Sequence, residues 1–442
     1  MIMTLAAVPV PSIAHHQLLV FLLQIGLVLG LATILGRLAV RLRLPAVVGE
    51  LLVGVLLGPS LLGATAPGLS AWLFPADPGQ LHLLDAVGQI GVLLLVGITG
   101  IHLNLGVIRG QGTIAVRTSA GGLLIPLGLG VAIGYLLPGS LLADSADRTV
   151  FALFLGVALC VSAIPVIAKI LLEMRLLHRD IGQLTVSAAA VDDVVGWLLL
   201  SVVSAMATTG VRTGQVLVAV GSVLLVVVVA YLLGRPLVRG ALRAANRSED
   251  SGPTVAVVSI LLLLSAAATH AMKLEAILGA FVCGIVIGSS GLLDHEKLAP
   301  LRTFTMAVLA PVFFATAGLR MDLTALAKPP VLLAAAGVLL AAVIGKFGGA
   351  YLGARFSGLS RWQSLAIGAG LNARGVIGLI VAMTGLRLGV LSTDAFTIVV
   401  LVAIVTSLIT PPTLRYALRK IPQTDEEHTR EKSFGAYARE ST

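Results

Sequence analysis

Charge is scarce in this chain. Asp, Glu, Lys and Arg make up 12% of its 442 residues, about half the ~25% of soluble domains. A water-soluble protein of this length would need far more polar surface to cover its core. Acidic disorder is excluded too, because 57% of residues are hydrophobic and the formal charge is +9. The basic surplus is not gathered into a stripe with a readable nucleic-acid motif, so no nucleic-acid partner is expected. Cysteine is nearly missing: Cys160 and Cys283 both lie in apolar runs and imply neither a disulfide framework nor a metal site. No Lys or Arg precedes Arg37, so the first apolar run lacks the basic leader of a signal peptide and reads as a retained helix. Gly128-x-Gly130 with Gly134 is no dinucleotide fingerprint, since the third glycine comes one residue late and no strand precedes it. No cofactor is expected. The class left is an all-α polytopic membrane protein in the lipid bilayer.

A span needs roughly 20 apolar residues to cross the hydrocarbon core. Thirteen stretches qualify: 17–36, 45–63, 84–101, 113–137, 149–172, 182–208, 215–234, 254–271, 275–290, 303–319, 330–353, 363–385 and 394–413. Positions 1–413 form one transmembrane domain, and 414–442 a short polar tail. Basic residues gather in cytoplasmic connections. With the N-terminus outside, 22 of the 30 Lys and Arg fall on the cytoplasmic side and six on the outer side. That bias predicts an outside N-terminus and a cytoplasmic C-terminus. Spans 1–6 and 8–13, joined by span 7, would then run in opposite senses, as inverted repeats do in many transporters.

The remaining two basic residues, Lys346 and Arg374, lie inside apolar segments with two aspartates, Asp192 and Asp193. Charged groups at mid-membrane cost about 2.5–3.5 kcal/mol each and are functional candidates by default. The aspartates lie roughly 16 Å along span 6 at ~1.5 Å per residue, and neighbours on a helix point ~100° apart. Two anions this close cannot both stay ionised without a cation: a proton, a metal ion or a basic side chain would each serve. Lys346, between glycines in span 11, is either an ion-pair partner for an aspartate or a lysine that snorkels to the interface. Span 5 carries Ser162-Ala-Ile-Pro165 and span 12 carries Gly370-Leu-Asn372-Ala-Arg374-Gly375. Pro165 reads as a kink or a true break, and Arg374 as a pin for a break or a transport residue. Paired interruptions in corresponding segments point to a binding site. Glu50, near the start of span 2, is a candidate lining residue for an inner funnel, or a plain boundary glutamate.

Taken in order, Val47-Val-Gly-Glu50 through Pro59-Ser60, Leu94-Leu-Val-Gly-Ile, Ser162 through Asp193, Pro311 through Arg320, Gly345-Lys346 and Leu371 through Gly375 resemble the second branch of the monovalent cation–proton antiporters. Bacterial Na⁺/H⁺ antiporters and plant cation/proton exchangers belong there. The resemblance implies a homodimer in the cell's inner membrane. A mobile core (about 113–208 and 330–413) would rock against dimerisation helices, with two broken helices crossing at mid-membrane. It implies that Asp193, with Ser162 and freed carbonyls, binds Na⁺ or a proton, and that Lys346 pairs with Asp192 when no cation is bound. Asp192 is Asp in many electrogenic members and Asn in others. Where those relatives have Asn-Asp, this chain has Asp-Asp, which favours electrogenic exchange of Na⁺, with K⁺ or Li⁺ as alternatives. An electroneutral K⁺/H⁺ exchanger is the alternative within the family. The absence of a nucleotide-binding tail speaks against the ligand-gated potassium-efflux relatives. An intramembrane aspartyl protease would need its two aspartates on separate helices, and a passive channel gives no reason for a lysine competing with the cation.

Overall fold

The computed structural model describes residues 13–428 apart from positions 43, 76, 104, 145, 175, 177, 211, 212 and 426. Positions 429–442 of the tail lie outside the described residues, as do six of the basic residues counted above: Arg43, Arg175, Arg212, Arg430, Lys432 and Arg439. An apolar run of about 20 residues in lipid closes every backbone hydrogen bond within itself by forming a helix. Among the described residues there is no strand, only a lone antiparallel bridge between Leu142 and Leu391.

The first group of helices is α1 (His15–Arg41), α2 (Ala46–Leu57), the short α3 (Pro67–Leu73) and α4 (Pro78–Ile101). Then come α5 (Leu105–Leu136), α6 (Arg148–Cys160), α7 (Ile164–Glu173) and α8 (Asp180–Thr209). The middle of the chain forms α9 (Thr213–Val229), α10 (Arg235–Ala245), α11 (Ser251–Ala271), α12 (Ala276–Gly288), α13 (His295–Phe304) and α14 (Ala310–Leu319). The last part forms α15 (Pro329–Phe356), α16 (Arg361–Leu371), α17 (Gly375–Arg387) and α18 (Thr393–Leu418). Side chains close several helix starts. Asp147 accepts from the Thr149 and Val150 amides at α6, and Ser360 and Gln363 form a capping box at α16.

Among the described residues, ten helices are long and apolar enough to cross a membrane, and the bent pair α16–α17, at 43°, makes eleven. The thirteen stretches read from the sequence fall largely on helix; 149–172 is split into the shorter helices Arg148–Cys160 and Ile164–Glu173, 363–385 into Arg361–Leu371 and Gly375–Arg387, and 275–290 rests on Ala276–Gly288. Helix length therefore supports ten or eleven crossings, and the figure of thirteen comes from the sequence. The last helix also runs past position 413, through Pro411 and Pro412, to Leu418.

Two sets of helices pack most closely. In one, α4 lies on α12 and α14, and α2 on α1 and α14. In the other, α5 lies on α6, α8 and α15, while α16 and α17 lie on α18. The α5–α15 contact is tight because Gly121 and Gly349 face each other: a Cβ on either would collide with the other's carbonyl. Small residues let transmembrane backbones approach in this way.

Beyond α18 the chain returns to the start of α8. Arg179 Nε pairs with Glu427 Oε2 at 2.9 Å, and Arg179 Nη2 donates to the Ile421 and Pro422 carbonyls at 3.1 Å each. Glu427 Oε1 accepts from the Asp180 amide at 2.8 Å, so a carboxylate from the tail caps α8. Burial pushes the Glu427 carboxyl up, but the Asp180 and Thr424 amides and Arg179 outweigh it and hold the group below its ordinary 4.5. A depressed acid contributes stability above its unfolded value and loses it as pH falls through the folded value. The tie therefore persists at neutral pH and is lost only on acidification below about 4.5. Glu427→Gln is expected to lower stability at pH 7 by about 1–3 kcal/mol, read as a lower melting temperature in detergent. The gap between the two proteins should narrow as pH falls below 4.5.

Candidate functional site

The two interruptions anticipated in spans 5 and 12 are real breaks, and they touch. Helix α6 ends at Cys160, Val161–Ala163 are non-helical, and α7 restarts at Ile164. Pro165 is the second residue of α7, where a missing amide costs no helical bond. The partner break falls between α16 and α17, where Gly375 takes φ +41°, a left-handed conformation that glycine adopts without a Cβ penalty. The Ala163 amide donates to the Ala373 carbonyl at 3.1 Å, so the two broken segments are joined by backbone.

Breaking α6 leaves its last carbonyls exposed at the negative end of a helix. Two cations satisfy them. Arg374 Nε and Nη2 donate to the Leu159 carbonyl at 3.1 and 2.7 Å, and Nη2 also reaches the Ala342 carbonyl at 2.6 Å. Lys346 Nζ donates to the Cys160 carbonyl at 2.5 Å. Arg374 thus bridges α6, α15 and the α16–α17 break.

Asp192 and Asp193 lie in the middle of α8 and are both wholly buried. Their surroundings differ. Asp192 is saturated: Oδ1 accepts from Ser119 Oγ at 2.5 Å, and Oδ2 accepts from Lys346 Nζ at 2.5 Å and lies 2.8 Å from Ser162 Oγ. Lys346 is equally buried, so this is an ion pair out of water and not a snorkelling lysine. Asp193 makes no such contacts. Neither of its oxygens has a hydrogen-bond partner, and the Ile164 amide at the positive start of α7 approaches without meeting hydrogen-bond geometry. Asn372 Oδ1, also buried, is likewise unpartnered.

Ser162, expected as a cation ligand beside Asp193, places its hydroxyl 2.8 Å from both Asp192 Oδ2 and the Leu371 carbonyl. With one proton it donates to one of them at a time. The cause is rotation: Asp192 and Asp193 point ~100° apart on α8, and the break in span 5 presents Ser162 to the first of them. Ser119 on α5 went unnoticed in the sequence, because a neutral serine in an apolar span carries no charge signal. Glu50 lies apart from this cluster. It lines an open groove with Arg37, Arg41 and Met306, among α1, α2 and the 295–319 segment.

Comparison with known proteins follows the same lines. Residues 27–420 match the family described as sodium/hydrogen exchanger, transmembrane. Over 400 residues the chain is 34% identical to the Na⁺/H⁺ antiporter NhaS4 of Synechocystis, covering 90% of this chain and 97% of that one. It is 31% identical to cation/H⁺ antiporter 15 of Arabidopsis thaliana over 88% of its length, where it spans about half (47%) of the plant protein. Among solved structures, the sodium proton antiporter MjNhaP1 of Methanocaldococcus jannaschii superposes with a TM-score of 0.64. That match covers 92% of this chain and 100% of the other at 16% identity, which speaks to fold alone.

Proposed function

The chain belongs to the sodium/hydrogen exchanger family, and from that premise we propose that it exchanges protons for Na⁺ at Asp193, electrogenically and by alternating access. Proton-coupled transport of monovalent cations is the family's activity; the ion, the stoichiometry and the residue roles are our reading. One observation carries it. Of two adjacent buried carboxylates, Asp192 is compensated by Lys346 and two hydroxyls, while Asp193 has no partner. A bare carboxylate in this place holds a proton or a cation, and not both. Counter-transport follows from that exclusion, because a site released by one ion is loaded by the other. Asp192 is the second acid. One proton exchanged for one Na⁺ at Asp193 alone would be electroneutral. The second proton of an electrogenic cycle would leave the Lys346–Asp192 pair as Asp192 turns from Lys346 towards Asp193 and the arriving cation, with Ser162 and the Leu371 carbonyl at the break as further oxygen donors.

The orientation we propose, N-terminus outside and C-terminus cytoplasmic in the inner membrane, rests on the 22-to-6 bias of basic residues. A homodimer, with α5–α8 and α15–α18 as a core rocking against the other helices, is proposed from the family resemblance. The arrangement of the aspartates does not favour a protease, since Asp192 is tied up by Lys346 and its neighbour lies on the same helix. The test is dequenching of a pH dye in proteoliposomes on addition of Na⁺, K⁺ or Li⁺, with and without an imposed voltage. The reading expects the largest signal with Na⁺ and a rate that changes with voltage. A K⁺-only response indifferent to voltage would point to electroneutral K⁺/H⁺ exchange instead.

A further inference from the structure

Helix α8 carries more polar side chains than its aspartates, and they fall into two kinds. Thr185, Ser187 and Thr208 each return the hydroxyl to a backbone carbonyl within the helix, at 2.7, 2.8 and 3.0 Å. That is how an apolar helix hides a hydroxyl. Ser201 and Ser204 do not: both Oγ atoms are buried and have no hydrogen-bond partner, and the same is true of the Trp197 Nε1. All three residues are at least 97% buried, with exposures of 1%, 3% and 2% for Ser201, Ser204 and Trp197.

Their spacing is ordered. Asp193, Trp197, Ser201 and Ser204 recur at helical intervals, and at ~100° per residue they lie within a sector of about 80°. At ~1.5 Å per residue the stripe runs roughly 16 Å, from Asp193 towards the Thr209 end of α8. Buried polar groups without partners are few in native proteins, and each asks for a reason. Four on one stripe, starting at a carboxylate that is itself unpartnered, share one. Towards the Asp180 end the hydroxyls are already spent on backbone carbonyls, so the feature is one-sided. The Trp197 ring packs on Phe281 of α12, with centroids 5.8 Å apart, so the stripe borders a helix of the other packing set.

We propose that Trp197, Ser201 and Ser204 form a polar track that holds water and the partly dehydrated monovalent cation between Asp193 and the Thr209 face. The proposal rests on Asp193 being the cation carboxylate. The serine oxygens offer lone pairs to a hard cation or to its water. The indole N–H, a donor only, holds a water oxygen and not the ion. The track is shut in this conformation and opens when α8 and α12 separate. It assigns the Thr209 face as the side from which these groups become wet.

The test uses the full chain in proteoliposomes during turnover. Ser201→Cys and Ser204→Cys proteins are treated with a charged, membrane-impermeant thiol reagent from one face and then the other. The parent chain gives the background, because Cys160 and Cys283 are buried. Both new thiols should react from the Thr209 face, and Na⁺ should slow the reaction at least threefold. An exchanger that still moves protons against Na⁺ yet stays unlabelled from that face, or is labelled only from the opposite one, overturns the track. A second arm is the Ser201→Ala/Ser204→Ala protein. The track predicts exchange slowed about tenfold or more when Na⁺ is loaded from the Thr209 face, with melting unchanged or raised. Unchanged exchange would mean that the hydroxyls are core packing, and would also overturn it. If an Asp193→Asn protein exchanges protons for Na⁺ as fast as the parent, it is the assignment of Asp193 that fails, and the two failures are told apart.

Discussion

Asp193→Asn is expected to reduce cation-driven proton movement by at least ~100-fold while leaving the protein folded. The amide has the shape of the carboxyl but cannot release a proton or offer a full charge to a bare cation. Losing about 3 kcal/mol of charge stabilisation corresponds to roughly two powers of ten. Stability should move the other way. Asp193 has no hydrogen-bond partner and no exposure, so neutralising it removes a buried group that nothing compensates. The expected melting temperature in the absence of Na⁺ is therefore unchanged or higher. Lost transport with retained stability separates a site residue from a structural one, and a large fall in melting would count against this account.

Lys346→Ala has the opposite signature. The Lys346–Asp192 pair is 0% exposed on both sides, and Lys346 also satisfies the Cys160 carbonyl at the break in span 5. Removing one partner of a buried pair leaves an uncompensated charge and costs about 3–5 kcal/mol. The melting temperature at pH 7 should fall by many degrees. Replacing both members, Lys346→Met with Asp192→Asn, should recover much of that loss, because two neutral groups leave no buried charge behind. A double variant as unstable as Lys346→Ala would mean that the lysine acts through the Cys160 carbonyl and not through Asp192. Either way the pair is absent, so the double variant should not recover exchange.

What was legible in the sequence were the residues that violate a rule. Asp192, Asp193, Lys346 and Arg374 stand out because charge is rare in apolar spans, and the breaks stand out because glycine, asparagine and proline interrupt them. Ownership of contacts was not legible. Whether Ser162 serves Asp192 or Asp193 depends on a ~100° rotation along α8, and no spacing rule links residue 162 to either. Ser119 reaches Asp192 only because α5 packs on α8, and that approach appears only in three dimensions. The tail was read only as short and polar, yet Glu427 caps α8 across 247 residues of chain. Helix number was not legible, because the α6 and α12 stretches are 13 residues each and fall short of a full span.

The central claim is that a proton and a cation compete for the one carboxylate of Asp193. The most direct measurement is the apparent KM for Na⁺ as a function of pH, taken with the maximal rate in the same proteoliposomes. Single-site competition predicts that on the acid side KM rises about tenfold per pH unit while the maximal rate, reached at saturating Na⁺, stays level. A KM that is flat with pH while the maximal rate falls would show that protons act elsewhere, and would contradict the account.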